Sequence, residues 1–213
     1  MVETTLMSRD NILHRVRTAL GRSAGQAPDE PPLPRIRIPE AGLEARIASL
    51  LRCVEALAGK AQRTSDPCSM VAAAIAGKTA VASNAPFLAD CGIAGLPGVR
   101  SGITDRDELR EACATADFGI TSADYALADT GTLVMLASPQ EARLVSLLPP
   151  AHIAVVPKDR ILTGLDELFA VLPDPAAQTS SMVLITGPSR TADIEQILIR
   201  GVHGPGQITV LVV

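Results

Sequence analysis

From Asp66 onward the chain alternates short, largely apolar runs with helical patterns, and this alternation restricts the fold more than any other feature. Residues 67–76 read as a helix, 79–82 as a strand, 105–114 as a helix and 118–121 as a strand. An apolar run at 132–137 follows, then a short helix at 139–148, a strand at 152–156 and a helix at 165–172. The end reads as a strand at 182–186, a helix at 191–200 stopped by Gly201, and a strand at 208–213. Strands this apolar are buried on both faces, and helices between them make the crossovers. The pattern predicts an α/β fold, a mostly parallel sheet with helices on both faces.

Ahead of this body, residues 8–20 predict a helix capped by Ser8 or Asp10, carrying Ile12, Leu13, Val16 and Leu20, and stopped by Gly21. Residues 21–39 include Pro28, Pro31, Pro32, Pro34 and Pro39, which make an extended, semi-rigid linker. A second helix at 40–58 carries Leu43, Ile47, Leu50, Leu51, Val54 and Leu57 at helical spacing. Residues 1–60 are therefore expected to form an N-terminal helical arm with a proline-rich linker, ahead of an α/β domain at 61–213. The arm's apolar stripe has to be buried on this body or on a partner.

Composition narrows the function. The chain has no Trp, one Tyr and three Phe, so aromatic stacking on exposed bases has almost no material. A net charge of −4 also argues against a general nucleic-acid binder. No apolar run approaches the roughly 18 residues that span a bilayer, and Met1 to Asp10 lacks a basic region followed by an apolar core, so a cytoplasmic protein is expected. Cys53, Cys68, Cys91 and Cys113 lack metal-clip spacing, and His14, His152 and His203 lie far from them in sequence. No metal site and no cofactor are expected, and the cysteines read as small apolar residues.

Three turn-like segments collect the side chains that could carry chemistry. The first is the junction from Gly187 through Ser189, Arg190 and Thr191, between the strand at 182–186 and the expected helix. A helix N-terminus with unpaired N–H groups suits an anion, and Arg190 adds a charged fork. A capped helix with a solvated Arg190 is the plain structural alternative. The second segment, Asp129, Thr130, Gly131 and Thr132, offers a carboxylate, hydroxyls and unhindered N–H groups, or is an ordinary turn. The third carries Arg143 on a short helix and His152 at a strand edge after two prolines. His203, beyond Gly201, would sit at the far end of the 191–200 helix, roughly 15 Å from Arg190, too far for both to touch one small ligand.

Five blocks taken in order resemble the LUD-domain family, in its single-domain lactate-utilisation protein C type. They are Gly-Ile-Thr-Ser-Ala-Asp-Tyr-Ala at 119–126, Ala-Asp-Thr-Gly-Thr-Leu-Val at 128–134, Arg-Leu-Val-Ser-Leu-Leu-Pro-Pro-Ala-His-Ile at 143–153, Ile-Thr-Gly-Pro-Ser-Arg-Thr-Ala-Asp-Ile-Glu at 185–195 and Gly-Val-His-Gly-Pro at 201–205. One departure is Asp129, where the family usually has Glu before Thr-Gly-Thr. The resemblance implies a fold like the NagB/RpiA/CoA-transferase group. It also implies a place in a system oxidising L-lactate to pyruvate, whose other members carry iron–sulfur and cysteine-rich motifs. This chain would then be the accessory subunit without clusters, binding a small organic anion or docking an iron–sulfur partner. Parallel sheets gather ligands beyond the carboxyl ends of their strands, which favours the turn at 187–191, with residues 129–132, Arg143 and His152, as the anion site. No catalytic residue is carried over. The alternative is a free-standing enzyme of that fold acting on an anionic small molecule, for which Glu141 and Glu195 are candidates by residue type alone.

Overall fold

The computed structural model describes residues 9–23, 25–26, 41–192 and 198–213. Contacts within the chain divide it into two units, Met1–Arg35 and Ile36–Val213. The first contains helix α1 (Arg9–Ala19), on which no residue is buried. Gly21 ends it with φ of +64°, the left-handed conformation that glycine adopts freely. Ser8 and most of the proline-rich linker lie outside the described residues.

The second unit begins with α2 (Leu43–Ala56), whose Ile47, Leu50 and Val54 are buried. The elements β1 (Lys60–Arg63), α3 (Pro67–Ala74), β2 (Ala80–Ala82), α4 (Pro86–Asp90), β3 (Val99–Arg100), α5 (Arg106–Thr115) and β4 (Phe118–Ser122) follow. Next come β5 (Tyr125–Leu127), β6 (Thr132–Leu136), α6 (Arg143–Leu147), β7 (Ala151–Val156), β8 (Ile161–Leu162), α7 (Leu165–Val171) and α8 (Pro175–Gln178). The chain closes with β9 (Met182–Ile185), β10 (Arg190–Ala192), β11 (Leu198–Arg200) and β12 (Gln207–Val212).

Six of these strands form one parallel sheet in the order β1-β12-β7-β4-β2-β3. Its alternate residues feed two cores. Ile120, Ile153, Val155 and Leu211 pack with Val71 and Ile75 of the α3 segment and Leu88 of α4. On the opposite face Ala154, Val156, Val210 and Val212 pack with α2 and with Ala126, Leu133 and Met135. Val145 of α6 packs with Ala112 and Cys113 of α5 and Val81 of β2. The predicted α/β fold is thus the observed one.

Two corrections concern the last third of the chain. The runs at 132–137 and 182–186 do not join the parallel sheet. They form β6 and β9 of a second sheet, ordered β8-β5-β6-β9, in which β6 pairs antiparallel with both β5 and β9. The described ends of the helix expected at 191–200 are strands instead: β10 and β11 pair antiparallel, with Arg190 opposite Arg200 and Ala192 opposite Leu198. The amide of Gly201 then donates to the Ser189 carbonyl at 3.0 Å, and that of Ser189 to the Pro205 carbonyl at 2.9 Å. Thr191 and Ile199, directly opposite each other, are β-branched residues that favour such pairing. Among the described residues, no helix is long and apolar enough to cross a membrane.

Candidate functional site

Parallel β2, β4 and β7 are neighbours in the main sheet and end together at Ala82, Ser122 and Val156. The segments that follow them, together with the loop between β6 and α6, enclose a cleft of about 560 Å³, lined among others by Phe87, Ser122, Asp124, Glu141, Asp159 and Arg160. Its place beyond the carboxyl ends of parallel strands is where open α/β sheets bind ligands.

Glu141 closes the inner wall, on the loop ahead of α6. Its amide donates to Ser138 Oγ at 2.9 Å, and the Asn84 amide donates to the Gln140 carbonyl at 2.8 Å. These bonds hold the loop against the segment leaving β2. The Glu141 side chain is 6% exposed. Its Oε2 accepts from Ser83 Oγ at 2.7 Å and from the Ser122 amide at 3.4 Å, whereas Oε1 is buried without a hydrogen-bond partner. Burial pushes its pKa up to about 8; the Ser83 and Ser122 bonds work against the rise, and the nearby Asp124 charge adds to it.

Asp124 follows β4 and accepts the Leu136 amide at 2.7 Å. Burial raises its pKa as well, opposed by that amide and by Arg160. Arg160 lies in the turn after β7, with its guanidinium carbon 5.6 Å from the Tyr125 ring centroid, at cation–π distance. The site therefore holds a carboxyl that keeps its proton near neutral pH, hydroxyls that orient it, and a guanidinium at the rim. This combination can hold an acidic ligand or move a proton. Sequence reasoning reached only Glu141, by residue type. Ser83, Arg160 and the Ser122–Asp124 pair come from three separate segments, and no local spacing joins them to Glu141.

The residues expected to form the anion site fall elsewhere, in three groups. Thr130 Oγ donates to Asp129 Oδ1 at 3.1 Å, and hydroxyl contacts of 2.8 Å link Thr130 to Thr132 and Thr132 to Thr186. That chain leads to Gly187 and, through the turn, to Arg190, which donates to the Leu57 carbonyl just beyond α2. Gly131 and Gly187 both have positive φ, +71° and +81°. A Cβ on Gly131 would lie 2.8 Å from the Val54 amide nitrogen, and one on Gly187 would lie 3.0 Å from Leu57 Cβ. Residues 129–132 and 186–190 thus meet over the carboxyl end of α2. Ser189 is half-buried, and the Thr191 side chain and Glu195 lie outside the described residues.

Arg143 forms the second group, exposed and donating to Ser181 Oγ at 3.0 Å. His152, the third, lies within the main sheet at 1% exposure, its Nε2 2.7 Å from Thr121 Oγ and its Nδ1 without a partner. Burial lowers its pKa to about 4, so it is neutral at physiological pH. Because residues 190–192 and 198–200 are paired strands, no helix N-terminus stands at Arg190 and no helix C-terminus at Arg200, and the 15 Å separation argued from that helix does not apply.

Comparison with known proteins agrees with this architecture. A crystal structure of a DUF162 family protein from Deinococcus radiodurans superposes with a TM-score of 0.59, covering 81% of this chain and 99% of that one at 18% identity, and so shares its fold. The chain is 41% identical over 114 residues to lactate utilization protein C of Halalkalibacterium halodurans, covering 52% of this chain and 50% of the relative. It is 43% identical over 102 residues to the protein of the same name from Macrococcus caseolyticus, covering 46% and 44%. The chain thus spans about half the length of the relatives it matches. The LUD domain profile, however, matches residues 50–213, from within α2 through every described strand. The chain belongs to the LUD-domain family.

Proposed function

We propose that this protein serves lactate utilisation as a subunit without iron–sulfur clusters, and that it binds a small organic acid in the cleft beside Glu141. The names of its relatives support the first part, as do four cysteines at scattered positions. The observation that carries the second part is the buried Glu141 carboxyl, one oxygen held by Ser83 and Ser122 and the other unpartnered, in the wall of a cleft with Arg160 at its rim. The turn at 187–191 is the weaker candidate, because strand β10 stands where a helix N-terminus was expected and Arg190 already bonds Leu57. A free-standing enzyme is the second reading, favoured by a carboxyl that titrates near neutrality, as a general acid does.

Thermal-shift and calorimetric titration with L-lactate and pyruvate tests the site. Stabilisation is expected in the wild type and in Arg190→Ala, and is expected to be lost in Arg160→Ala. Loss in Arg190→Ala alone would move the site to the turn, and no response in any form would overturn acid binding. Co-purification from cells grown on lactate tests the role: iron–sulfur partners are expected to accompany the chain, and normal lactate growth after deletion would sink the idea. Turnover by the isolated chain would favour the enzyme.

A further inference from the structure

The cleft is acid-rich for a site that takes an acid. Asp124, Glu141 and Asp159 contribute three carboxyls to its lining, against the single guanidinium of Arg160. A ligand with two or more negative charges would enter against that balance, whereas one carboxylate can pair with Arg160 if a lining carboxyl carries a proton. The geometry singles out Glu141. With Oε2 occupied and Oε1 buried without a partner, an ionised side chain would leave charge unpaired in the protein interior. A protonated one has an O–H with no acceptor in the protein, and because Oε1 is closed off from solvent the carboxyl has to turn toward the cleft to offer it to a ligand.

Resting on the organic-acid reading above, we propose that the cleft binds a small monocarboxylate together with one proton, Glu141 donating its O–H to the ligand carboxylate beside Arg160, while Asp124 and Asp159 discriminate against dicarboxylates and phosphate. The bond is of the short, charge-assisted O–H···O⁻ kind. No covalent bond changes: the proton stays between the two carboxyl groups, and the ligand leaves as it entered.

The charged groups around Glu141 fit this role. Asp124 after β4 holds the proton on, and Arg160 after β7 offsets Asp124. Asp159 is exposed at the rim. Across the 138–140 segment, Arg106 of α5 lines a neighbouring pocket, and Arg143 of α6 is turned to Ser181. With the carboxyl titrating at about 8, the free site is charged with its proton at neutral pH. Above that point the proton has to be taken up with the ligand, which weakens binding about tenfold per pH unit.

Calorimetry on the full chain, with pyruvate, L-lactate, succinate and inorganic phosphate as probes over roughly pH 6–10, tests the inference. Pyruvate affinity is expected to be flat up to about pH 7.5 and then to fall about tenfold per unit. Proton uptake, read from buffers of different ionisation enthalpy, should rise toward one per ligand. Glu141→Gln places an N–H donor where the O–H stood; it should bind within a few-fold of the wild type at neutral pH and lose the pH slope. Succinate and phosphate should bind at least about tenfold more weakly, a gap that Asp124→Asn and Asp159→Asn narrow. If the wild type binds pyruvate independently of pH, or Glu141→Gln keeps the slope, proton coupling is wrong and acid binding stands. If dicarboxylates bind as tightly as pyruvate, charge discrimination is wrong. If neither pyruvate nor lactate gives heat, both readings fall. Circular dichroism of the Gln variant separates lost binding from lost fold.

Discussion

Glu141 sits between opposed influences that single substitutions can separate. Burial and the Asp124 charge raise its pKa; the Ser83 hydroxyl and the Ser122 amide lower it. Ser83→Ala removes a donor that favours the ionised form, so the carboxyl is expected to titrate above about 8. Asp124→Asn removes a like charge and is expected to bring the titration down. Carboxyl-carbon NMR of the two variants checks the pair: shifts of the same sign would mean that neither contact tunes the group. Little of this was legible in the sequence, since the residues around Glu141 become neighbours only when β2, β4 and β7 end together. Asp129 shows the converse. Its turn was visible from Thr-Gly-Thr, but the hydroxyl chain to Thr186 depends on β6 pairing with β9, which no local pattern encodes.

At the scale of elements, Gly119 governs how α6, and with it the Glu141 loop, lies on β4. A Cβ there would stand 1.9 Å from the Val145 carbonyl oxygen, a backbone atom that cannot step aside. Gly119→Ala is therefore expected to push α6 off the sheet, to cost about 3 kcal/mol or more in urea denaturation, and to weaken ligand binding in the cleft. Wild-type stability in this variant would show that the approach is looser than the structure implies. The strands that make this contact possible were readable, because β4, β7 and β12 are apolar on both faces and lie between helical patterns. The pairing of β10 with β11 was not. Ile194, Ile197 and Leu198 imitate helical spacing, and pairing with a neighbouring segment overrode that weak local signal. Gly201, expected to stop a helix, has a φ of +80° and follows a strand instead.

For the whole molecule, two buried groups in the second unit make stability depend on pH in opposite directions. Glu141 binds its proton more tightly when folded, about 8 against an ordinary 4.5, so its contribution is full below 4.5 and is lost as pH rises toward 8. His152 binds its proton less tightly when folded, about 4 against 6.5, so its contribution is full above 6.5 and is lost as pH falls toward 4. Between 4.5 and 6.5 the two slopes oppose each other and nearly cancel. From 6.5 to 8 the His152 contribution is constant, the lowered carboxyls of Asp66, Asp117 and Glu167 titrate below that window, and the Cys113 thiol, pushed up to about 11, titrates above it. The fall there comes from Glu141 and whatever part its neighbour Asp124, also raised by burial, carries. The wild type should therefore lose stability from 6.5 to 8, by at most about 1.4 kcal/mol per pH unit. Glu141→Gln should lose most of that fall and, with the His152 slope uncovered, should gain stability from 4.5 to 6.5. Urea midpoints of both proteins over this range test the pair of slopes, and parallel curves would mean that Glu141 enters and leaves the fold with the same proton affinity.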